Sequence, residues 1–373
     1  MNRSANLEKS TQKRLKEGAE APEKTAGDYA SRAEILQRLD LDDALLKRAR
    51  KVFPVQWPRA YLNLIGDDPQ RDPIARMGRP LAGEFRHDAG DLADPIADRY
   101  MRPIPQVVRK HEDRIIVLVT KRCHFYCRFC FRREEPPSSY AEMNEADWQM
   151  VLAFLRRETG IREVILSGGD PLTLANGALF WIKAQLEKIP HLQCWRIHTR
   201  SPVHFAQRVD GALVEGLAGG LPLRMVTHFN HARELTAATR RQSNLLARFG
   251  IPFLNQAVLL RGVNDSLTAQ LGLWRGLSGL GIEPYYLHHP DRVPGNADFR
   301  VTLAEGKRIY RDMALRLRNR CPRYVLDLPD GRGKVPVMSL RELGQGRYRY
   351  DHPGGGVSHY TDWAKTEMAK PPK

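Results

Sequence analysis

The sequence predicts an α/β fold in which parallel strands and covering helices form a partial (β/α)6 barrel of the TIM type. Short, continuous apolar runs recur from residue 114 onwards, as is typical of parallel strands buried on both faces. Amphipathic helical stretches separate these runs. Six such units in about 180 residues favour a closed or partly closed barrel over an open doubly wound sheet. No dinucleotide-binding glycine motif follows the first strand.

The elements are predicted in order along the chain. Apolar residues at helical spacing predict one helix over 35–52, which Phe53-Pro54 ends. The next stretch, to about residue 105, is rich in Pro, Gly and Asp, so short helices and loops are expected there. Helices are then predicted at 145–157, 180–188 and 232–249. Strands are predicted at 115–120, 164–167, 194–199, 223–227, 253–260 and 284–287, with a further strand at 324–327.

Four segments follow from this pattern. Residues 1–28 almost lack large apolar side chains, so a disordered tail is expected. Residues 29–110 are expected to form an N-terminal helical wrap, and residues 111–300 the barrel. Residues 301–373 are assigned to a C-terminal helix, a lysine-bearing loop and a tail, which is expected to be loose after about Tyr348 because it is polar and Gly-rich.

Composition and charge narrow the function classes. The 373 residues carry 59 Lys and Arg against 43 Asp and Glu, a formal net charge of +16. These charges are mostly interleaved in sign, which favours solvated surfaces over nucleic-acid binding, although the latter stays an alternative. The sequence has no apolar run of the ~18 residues that a membrane helix needs, and five cysteines are too few for a disulfide framework. A cytoplasmic protein without a membrane partner is expected.

The strongest chemical signal is the group Cys123, Cys127 and Cys130, directly after the first barrel strand. Three thiolates within eight residues can hold one soft metal centre, and a fourth coordination position left open suits catalysis. The alternative is a structural zinc site that includes His124. Zinc is not predicted, because no second ligand pair with the usual zinc spacing is present in the sequence.

The C-x3-C-x2-C spacing resembles the radical S-adenosylmethionine superfamily, whose cysteines hold a [4Fe–4S] cluster. The resemblance implies that S-adenosylmethionine binds the unique iron and that Phe129 lies near its adenine. Six further segments resemble lysine 2,3-aminomutases, and the likeness covers roughly residues 53–337. These segments are Phe53–Tyr61, Ser167–Leu172, Ile197–Val203, Thr227–His231, Asn255–Asp265 and Pro284–Asp291.

The cofactor sites are expected at the carboxyl ends of the strands. Gly168 and Gly169 end the second barrel strand, where uncovered backbone amides can bind the carboxylate and amino end of S-adenosylmethionine. By resemblance, Asp170, His228 and Gln256 line the same face.

Lys334 lies in the segment Pro329–Pro336, which is expected to be a mobile loop beyond the last strand. The resemblance implies that this lysine binds pyridoxal 5′-phosphate covalently. Asp330 and Arg332 stand where members of the family commonly have glycines, which puts the flexibility of the loop in question. Arg200 and Arg114 are candidates for binding the phosphate group, and a surface position explains Arg114 equally well.

The expected substrate is a diamine. By resemblance, Arg132 binds the substrate carboxylate, for which a guanidinium offers two parallel hydrogen bonds. Asp291 and Asp327 match the two aspartates that hold the side-chain ammonium of lysine in the family. Two neighbouring carboxylates repel each other unless a cation lies between them, so lysine is expected and glutamate is not.

The resemblance therefore implies an isomerase that converts L-lysine to β-lysine by 1,2-amino migration through a 5′-deoxyadenosyl radical. It would need a [4Fe–4S] cluster, S-adenosylmethionine, pyridoxal phosphate and an external electron donor. The alternatives are the branch whose β-lysine is attached to elongation factor P, a related amino acid 2,3-aminomutase, a radical enzyme without pyridoxal phosphate, and a cluster-bearing nucleic-acid-binding protein. Some longer relatives have C-terminal cysteines for an intersubunit zinc; none follows Cys321 here, so a homo-oligomer is left open.

Overall fold

The computed structural model describes residues 27–134 and 142–362, so the expected tail at 1–28 lies almost wholly outside the described residues. Its main element is a nine-stranded sheet whose strand order follows the sequence. The strands are β1 (Val107–Val108), β2 (Arg114–Thr120), β3 (Glu163–Gly168), β4 (Cys194–His198), β5 (Leu223–Thr227), β6 (Phe253–Val258), β7 (Glu283–His288), β8 (Arg323–Asp327) and β9 (Lys334–Pro336).

Strands β2 to β8 pair in parallel, and β1 and β9 add an antiparallel strand at each edge. The sheet is curled. A contact between β4 and β7, three strands apart, shows this: Arg196 on β4 donates a hydrogen bond to the Tyr285 hydroxyl on β7 (2.6 Å). The predicted α/β partial barrel is confirmed. It has seven parallel strands rather than six, because the segment predicted as a strand at 324–327 pairs with β7, and the sheet therefore continues past residue 300.

The N-terminal wrap contains four helices: α1 (Arg32–Arg38), α2 (Asp43–Val52), α3 (Arg59–Leu62) and α4 (Pro73–Gly78). The prediction of one helix over 35–52 is wrong. The chain turns between α1 and α2, where Asp40 has a positive φ of 47°. Asp42 then starts α2, because its carboxylate accepts a hydrogen bond from the Leu45 amide.

Helices cover the outer side of the sheet. They are α5 (Glu145–Arg157), α6 (Asn176–Leu186), α7 (Ser201–His204), α8 (Gly211–Leu217), α9 (Ala237–Arg248), α10 (Leu267–Gly279) and α11 (Leu303–Leu317). The bounds of α5 agree with the prediction, whereas α6 begins four residues before the predicted 180 and α9 begins after a separate short turn at 232–234. Capping boxes at Asn144 and Thr302 fix the starts of α5 and α11.

The loose tail predicted after about Tyr348 is wrong for the described residues up to 362, and the rest of that tail lies outside them. The segment after residue 340 forms a three-stranded antiparallel sheet of β10 (Arg341–Gly344), β11 (Arg347–Asp351) and β12 (Val357–Thr361). Tyr348 and Tyr360 are cross-strand partners and both are buried. Asp362 accepts a hydrogen bond from the Leu303 amide at the start of α11 (2.6 Å), which ties this sheet to the barrel.

One hydrophobic core runs through the wrap, the barrel and the C-terminal sheet. None of the helices in the described residues is long and apolar enough to cross a membrane.

Candidate active site

The cysteine loop follows β2 at the carboxyl edge of the sheet, and the wrap holds it in place. Gln56 Nε2 donates hydrogen bonds to the carbonyls of Cys123 (3.4 Å) and His124 (3.1 Å). The Tyr29 hydroxyl lies 2.6 Å from His124 Nδ1. The segment Phe53–Tyr61, singled out in the sequence, is therefore part of the support for this loop.

A buried ion-pair network closes the far end of the cysteine loop. Arg128 Nε and Arg133 NH2 each donate a hydrogen bond to Glu84 Oε1 (2.8 Å in both cases), and all three side chains are almost wholly buried. Arg133 also donates to the Gly295 carbonyl (2.9 Å). The network thus joins the wrap, the cysteine loop and the loop after β7.

The three thiols are neighbours. Burial raises the pKa of Cys123, Cys127 and Cys130, that of Cys130 to about 11, and the charge of Cys127 acts in the same direction on the other two. Within residues 27–134 and 142–362, no three His, Cys, Asp or Glu side chains converge on a single metal ion. A [4Fe–4S] cluster does not require such convergence, because each cysteine binds a different iron atom. Three soft ligands in one loop therefore fit a cluster.

Arg200 lies at the cysteine loop, and its predicted role at the phosphate group stays a prediction. Its NH1 donates to Cys127 Sγ (2.8 Å), its NH2 pairs with Glu234 (3.0 Å) and its Nε donates to the His228 carbonyl (2.8 Å). A guanidinium beside a cysteine sulfur stabilises the thiolate that a metal needs. Arg114, the other phosphate candidate, begins β2 and thus lies at the opposite end of that strand from the cysteines.

Gly168 and Gly169 bring the end of β3 against the chain that carries the cysteines. Gly168 has a φ of +115°, and a Cβ atom there would lie 2.4 Å from the Thr120 carbonyl oxygen. A Cβ atom at Gly169 would lie 2.2 Å from the Arg122 carbonyl oxygen. The Gly169 amide donates to the Thr120 carbonyl (2.6 Å), so it is already used within the protein, and cofactor binding at Gly168 and Gly169 stays a prediction. The glycines instead allow two backbones to approach closely.

Asp170 joins the ends of β3 and β4. Its carboxylate is buried and accepts hydrogen bonds from the hydroxyls of Thr199 (2.6 Å) and Ser201 (3.0 Å) and from the amides of Leu172 and Arg200 (3.0 Å each). Four donors satisfy both oxygens. The carboxylate thus organises the strand ends, and the expected place of Asp170 on the cofactor face stays a prediction.

Phe129 and His228 lie together on the cysteine side of the site. Their ring centres are 6.0 Å apart, and the Arg200 guanidinium lies 5.6 Å from the centre of the Phe129 ring. Gln256 is half-buried on β6, with Tyr286 of β7 as its register partner. Roles for Phe129, His228 and Gln256 in binding S-adenosylmethionine stay predictions.

Lys334 is the first residue of β9 and not part of a mobile loop. Its cross-strand partner is Asp327, the last residue of β8, and its Nζ lies 3.1 and 3.0 Å from the two carboxylate oxygens. Gly331 and Gly333, with φ of 80° and 84°, make the connecting turn. The lysine side chain is 34% exposed, at the open mouth of the barrel. Burial lowers its pKa, but the Asp327 carboxylate outweighs burial and the net shift is upward.

Asp291 and Asp327 form a pair of carboxylates at this mouth. Burial, followed by the charge of Asp327, raises the pKa of Asp291 to about 8, and Lys334 and Lys110 act in the opposite direction. Burial also favours the neutral form of Asp327, but the Lys334 ammonium and His288 hold the pKa of this carboxyl below its usual range. At neutral pH the pair therefore holds the full negative charge of Asp327 and a largely neutral Asp291 carboxyl, whose ionisation a nearby cation would favour.

Arg132 reaches the same mouth through an ion pair that was not predicted. Its NH2 lies 2.7 Å from Oδ2 of Asp98, whose Oδ1 lies 2.8 Å from Nζ of Lys110. Asp98 and Lys110 lie in the wrap, where no motif marks them. Together with Asp291, Asp327 and Lys334, these residues place three cations and three carboxyl groups around one opening.

Two histidines at the ends of strands were also not predicted as site residues. His198 and His288 end β4 and β7, and the His288 Nδ1 lies 3.8 Å from Asp327 Oδ2. Burial lowers the pKa of both imidazoles, and the charge of Lys334 lowers it further, so both are neutral. Both lie inside segments already singled out, Ile197–Val203 and Pro284–Asp291, but a histidine in a strand is equally typical of a core position.

Comparisons with known proteins decide the family. The Radical SAM superfamily matches residues 117–221. The L-lysine 2,3-aminomutase of Clostridium subterminale is 36% identical over 279 residues, which cover 74% of this chain and 67% of that protein. The L-lysine 2,3-aminomutase of Escherichia coli (strain K12) is 36% identical over 283 residues, which cover 74% of this chain and 82% of that protein. This chain belongs to the lysine 2,3-aminomutase family of radical S-adenosylmethionine enzymes.

Enzymes similar to this chain are named for different amino acids. The glutamate 2,3-aminomutase of Clostridioides difficile (strain 630) is 33% identical over 285 residues, which cover 74% of this chain and 66% of that protein. Among solved structures, Streptococcus suis SuiB bound to S-adenosylmethionine is 16% identical with a TM-score of 0.44, covering 57% of this chain and 49% of that one. Membership of the radical S-adenosylmethionine enzymes implies S-adenosylmethionine and a [4Fe–4S] cluster.

Proposed function

We propose that this protein is a pyridoxal phosphate-dependent lysine 2,3-aminomutase that converts L-lysine into β-lysine. The amino group moves from C2 to C3 and one hydrogen moves from C3 to C2, so substrate and product are isomers. The observation that carries the proposal is the pair of carboxylates Asp291 and Asp327 with the Lys334 ammonium beside it. This arrangement supports a substrate with a second cationic group.

Residues of this chain fit both cofactors. Cys123, Cys127 and Cys130 would hold the iron–sulfur cluster, with Arg200 stabilising the Cys127 thiolate. Lys334 would hold pyridoxal phosphate. When bound, the cluster and S-adenosylmethionine supply the radical that removes the hydrogen, and pyridoxal phosphate activates the migrating nitrogen. The cluster requires an electron that these side chains do not supply, so an external electron donor is part of the proposal.

The two ends of the substrate are bound by opposite charges. The Arg132 guanidinium would bind the carboxylate, in an orientation that its ion pair with Asp98 fixes. At the other end, the Asp327 carboxylate already holds one cation, the Lys334 ammonium. The Asp327 carboxylate would in the same way pair with the side-chain ammonium of the substrate. The side-chain carboxylate of glutamate would instead meet the negative charge of Asp327, which favours lysine over glutamate as the substrate.

The test is anaerobic turnover by the reconstituted full chain with L-lysine, S-adenosylmethionine, pyridoxal phosphate and dithionite. β-Lysine is expected from the wild type, and none is expected from Lys334→Ala. Reduction with borohydride should attach a phosphopyridoxyl group to the peptide that contains Lys334. The matched control is Lys307→Ala, on α11, whose ammonium donates to the Leu340 carbonyl away from the mouth and which should retain both activity and label.

Two results would contradict the proposal. Turnover of L-glutamate in preference to L-lysine would show that the carboxylate pair does not select the substrate. A wild-type protein that contains the cluster and cleaves S-adenosylmethionine, yet takes up no phosphopyridoxyl label, would identify a radical enzyme that does not use pyridoxal phosphate.

A further inference from the structure

One face of β4 carries polar side chains at every second position: Cys194, Arg196 and His198. Arg196 identifies this face as the barrel interior, because NH1 donates to the Tyr285 hydroxyl of β7 (2.6 Å) and NH2 donates to Glu163 of β3 (2.8 Å). His198 lies on the same face, roughly 7 Å nearer the carboxyl edge. Its position is therefore inside the mouth of the barrel.

The groups around His198 are three cations and a second imidazole. After burial, which is the largest cause, the pKa of His198 is lowered by Arg196, Lys334, His288 and Arg132, in decreasing order, to about 3. The imidazole is therefore neutral at neutral pH.

The Nε2 atom of His198 is buried and has no hydrogen-bond partner among the residues that the structure describes. A buried polar atom without a partner costs about 1–3 kcal/mol of stability. Such atoms are uncommon in folded proteins and call for an explanation, of which a missing ligand is one. Because this atom lies within a site proposed to hold a cofactor, the cofactor is the natural partner.

We propose that His198 is a further cofactor-binding residue, whose Nε2 forms a hydrogen bond with a polar atom of the pyridoxal ring when the cofactor is attached at Lys334. The inference rests on the proposed function and adds a residue to it. A neutral imidazole can make this bond without adding charge to a mouth already lined by three cations and three carboxyl groups. It can also serve as donor or as acceptor, depending on its tautomer.

The experiment measures cofactor binding rather than turnover. Pyridoxal phosphate is titrated into the full chain, without lysine, and its dissociation constant and absorption maximum are recorded from pH 6 to 9. His198→Ala should weaken binding about tenfold, which corresponds to ~1.4 kcal/mol, and should shift the absorption maximum. His198→Asn, which keeps a hydrogen-bonding group, should recover part of both effects. Iron content should equal that of the wild type in both variants.

The matched control is His191→Ala. The Nε2 of His191 is also buried without a partner in the described part of the chain, but this residue precedes β4 at the opposite edge of the sheet. Its cofactor affinity and spectrum should match the wild type. A wild-type protein that does not bind pyridoxal phosphate would overturn the proposed function itself. Wild-type binding with an unchanged constant and spectrum in His198→Ala, or an equal change in His191→Ala, would overturn this inference alone.

Discussion

Glu84 shows how strongly one residue can couple the wrap to the active site. Its carboxylate is the partner of the guanidiniums of Arg128 and Arg133, and the three groups lie almost wholly out of contact with water. Removing one partner of a buried ion pair leaves an uncompensated charge, which costs far more than the loss of a surface pair. Here two guanidiniums would lose their partner together.

We therefore expect Glu84→Gln to lower the free energy of unfolding by about 3 kcal/mol or more, and to reduce the iron content after reconstitution. Urea unfolding followed by circular dichroism measures the first effect, and iron analysis the second. Glu215→Gln, at an exposed position on α8, is the control and should change stability by no more than about 0.5 kcal/mol. A similar small change in Glu84→Gln would show that the network does not support the loop.

Asp291 provides a prediction on pH. The pKa of its carboxyl is about 8 in the folded protein and about 3.9 in an unfolded chain, so the folded state binds more protons between these values. The free energy of unfolding therefore falls as pH rises through this window, by at most roughly 1.4 kcal/mol per unit from this group. Asp291→Asn removes the effect, so its melting temperature relative to the wild type should increase from pH 5 to pH 8.

The measurement is thermal unfolding of the cofactor-free full chain at both pH values. Asp67→Asn, on an exposed loop, should follow the wild type at each pH. If Asp291→Asn also follows the wild type, the carboxyl is not held in its neutral form.

At the scale of elements, strand starts and ends determine where the chemistry lies. The cysteine loop follows β2, Gly168 ends β3, and Asp327 ends β8. Gly168 is the tightest of these points, because its φ is +115° and its missing side chain leaves room for the Thr120 carbonyl. A methyl group there would meet backbone, which cannot move aside as a flexible side chain can.

Gly168→Ala is accordingly expected to destabilise the protein by about 2 kcal/mol or more, through backbone strain and the clash together. Gly211→Ala is the matched control, since this glycine begins α8 and a Cβ atom would have nothing within 4 Å. The control should be neutral or slightly stabilising. The melting temperatures of both variants are compared with that of the wild type. Equal melting temperatures for Gly168→Ala and Gly211→Ala would contradict the close approach of Gly168 to the Thr120 carbonyl.

The sequence predicted the parallel strands well, because short apolar runs mark their positions, and it located the cysteines and the carboxylate pair through motifs. Strand β9 was not predicted, because a segment of three residues that ends in proline has no recognisable strand pattern. It forms a strand only because it pairs with β8. The C-terminal sheet did leave a signal, since Arg347 and Arg349 alternate with Tyr348 and Tyr350. The partners of Arg200 and Asp170 could not be predicted, because they depend on which loops pack together.

At the scale of the whole molecule, the wrap and the barrel share one core. Trp57 of the wrap packs edge-on against Phe125 of the cysteine loop, with ring centres 4.7 Å apart. Tyr61 donates a hydrogen bond to Glu234, which in turn pairs with Arg200. The active site thus depends on residues from both segments.

A fragment that begins at residue 111 and lacks the wrap is therefore expected not to fold cooperatively. It also loses β1, which covers the edge of β2. Near-ultraviolet circular dichroism and urea unfolding would be compared with those of the full chain. Cooperative unfolding of the fragment, together with normal iron uptake, would show that the barrel is independent of the wrap.

The pairing of β8 with β9 has one consequence for how this enzyme can change over evolution. Alternate residues of β9 face opposite sides, so the register that sets Lys334 against Asp327 also turns Val335 into the core. Gaining or losing one residue between Leu328 and Gly333 would exchange these two positions and present the amine to the wrong side. A change in the length of this turn would therefore displace the amine even where a substitution outside its two glycines would not.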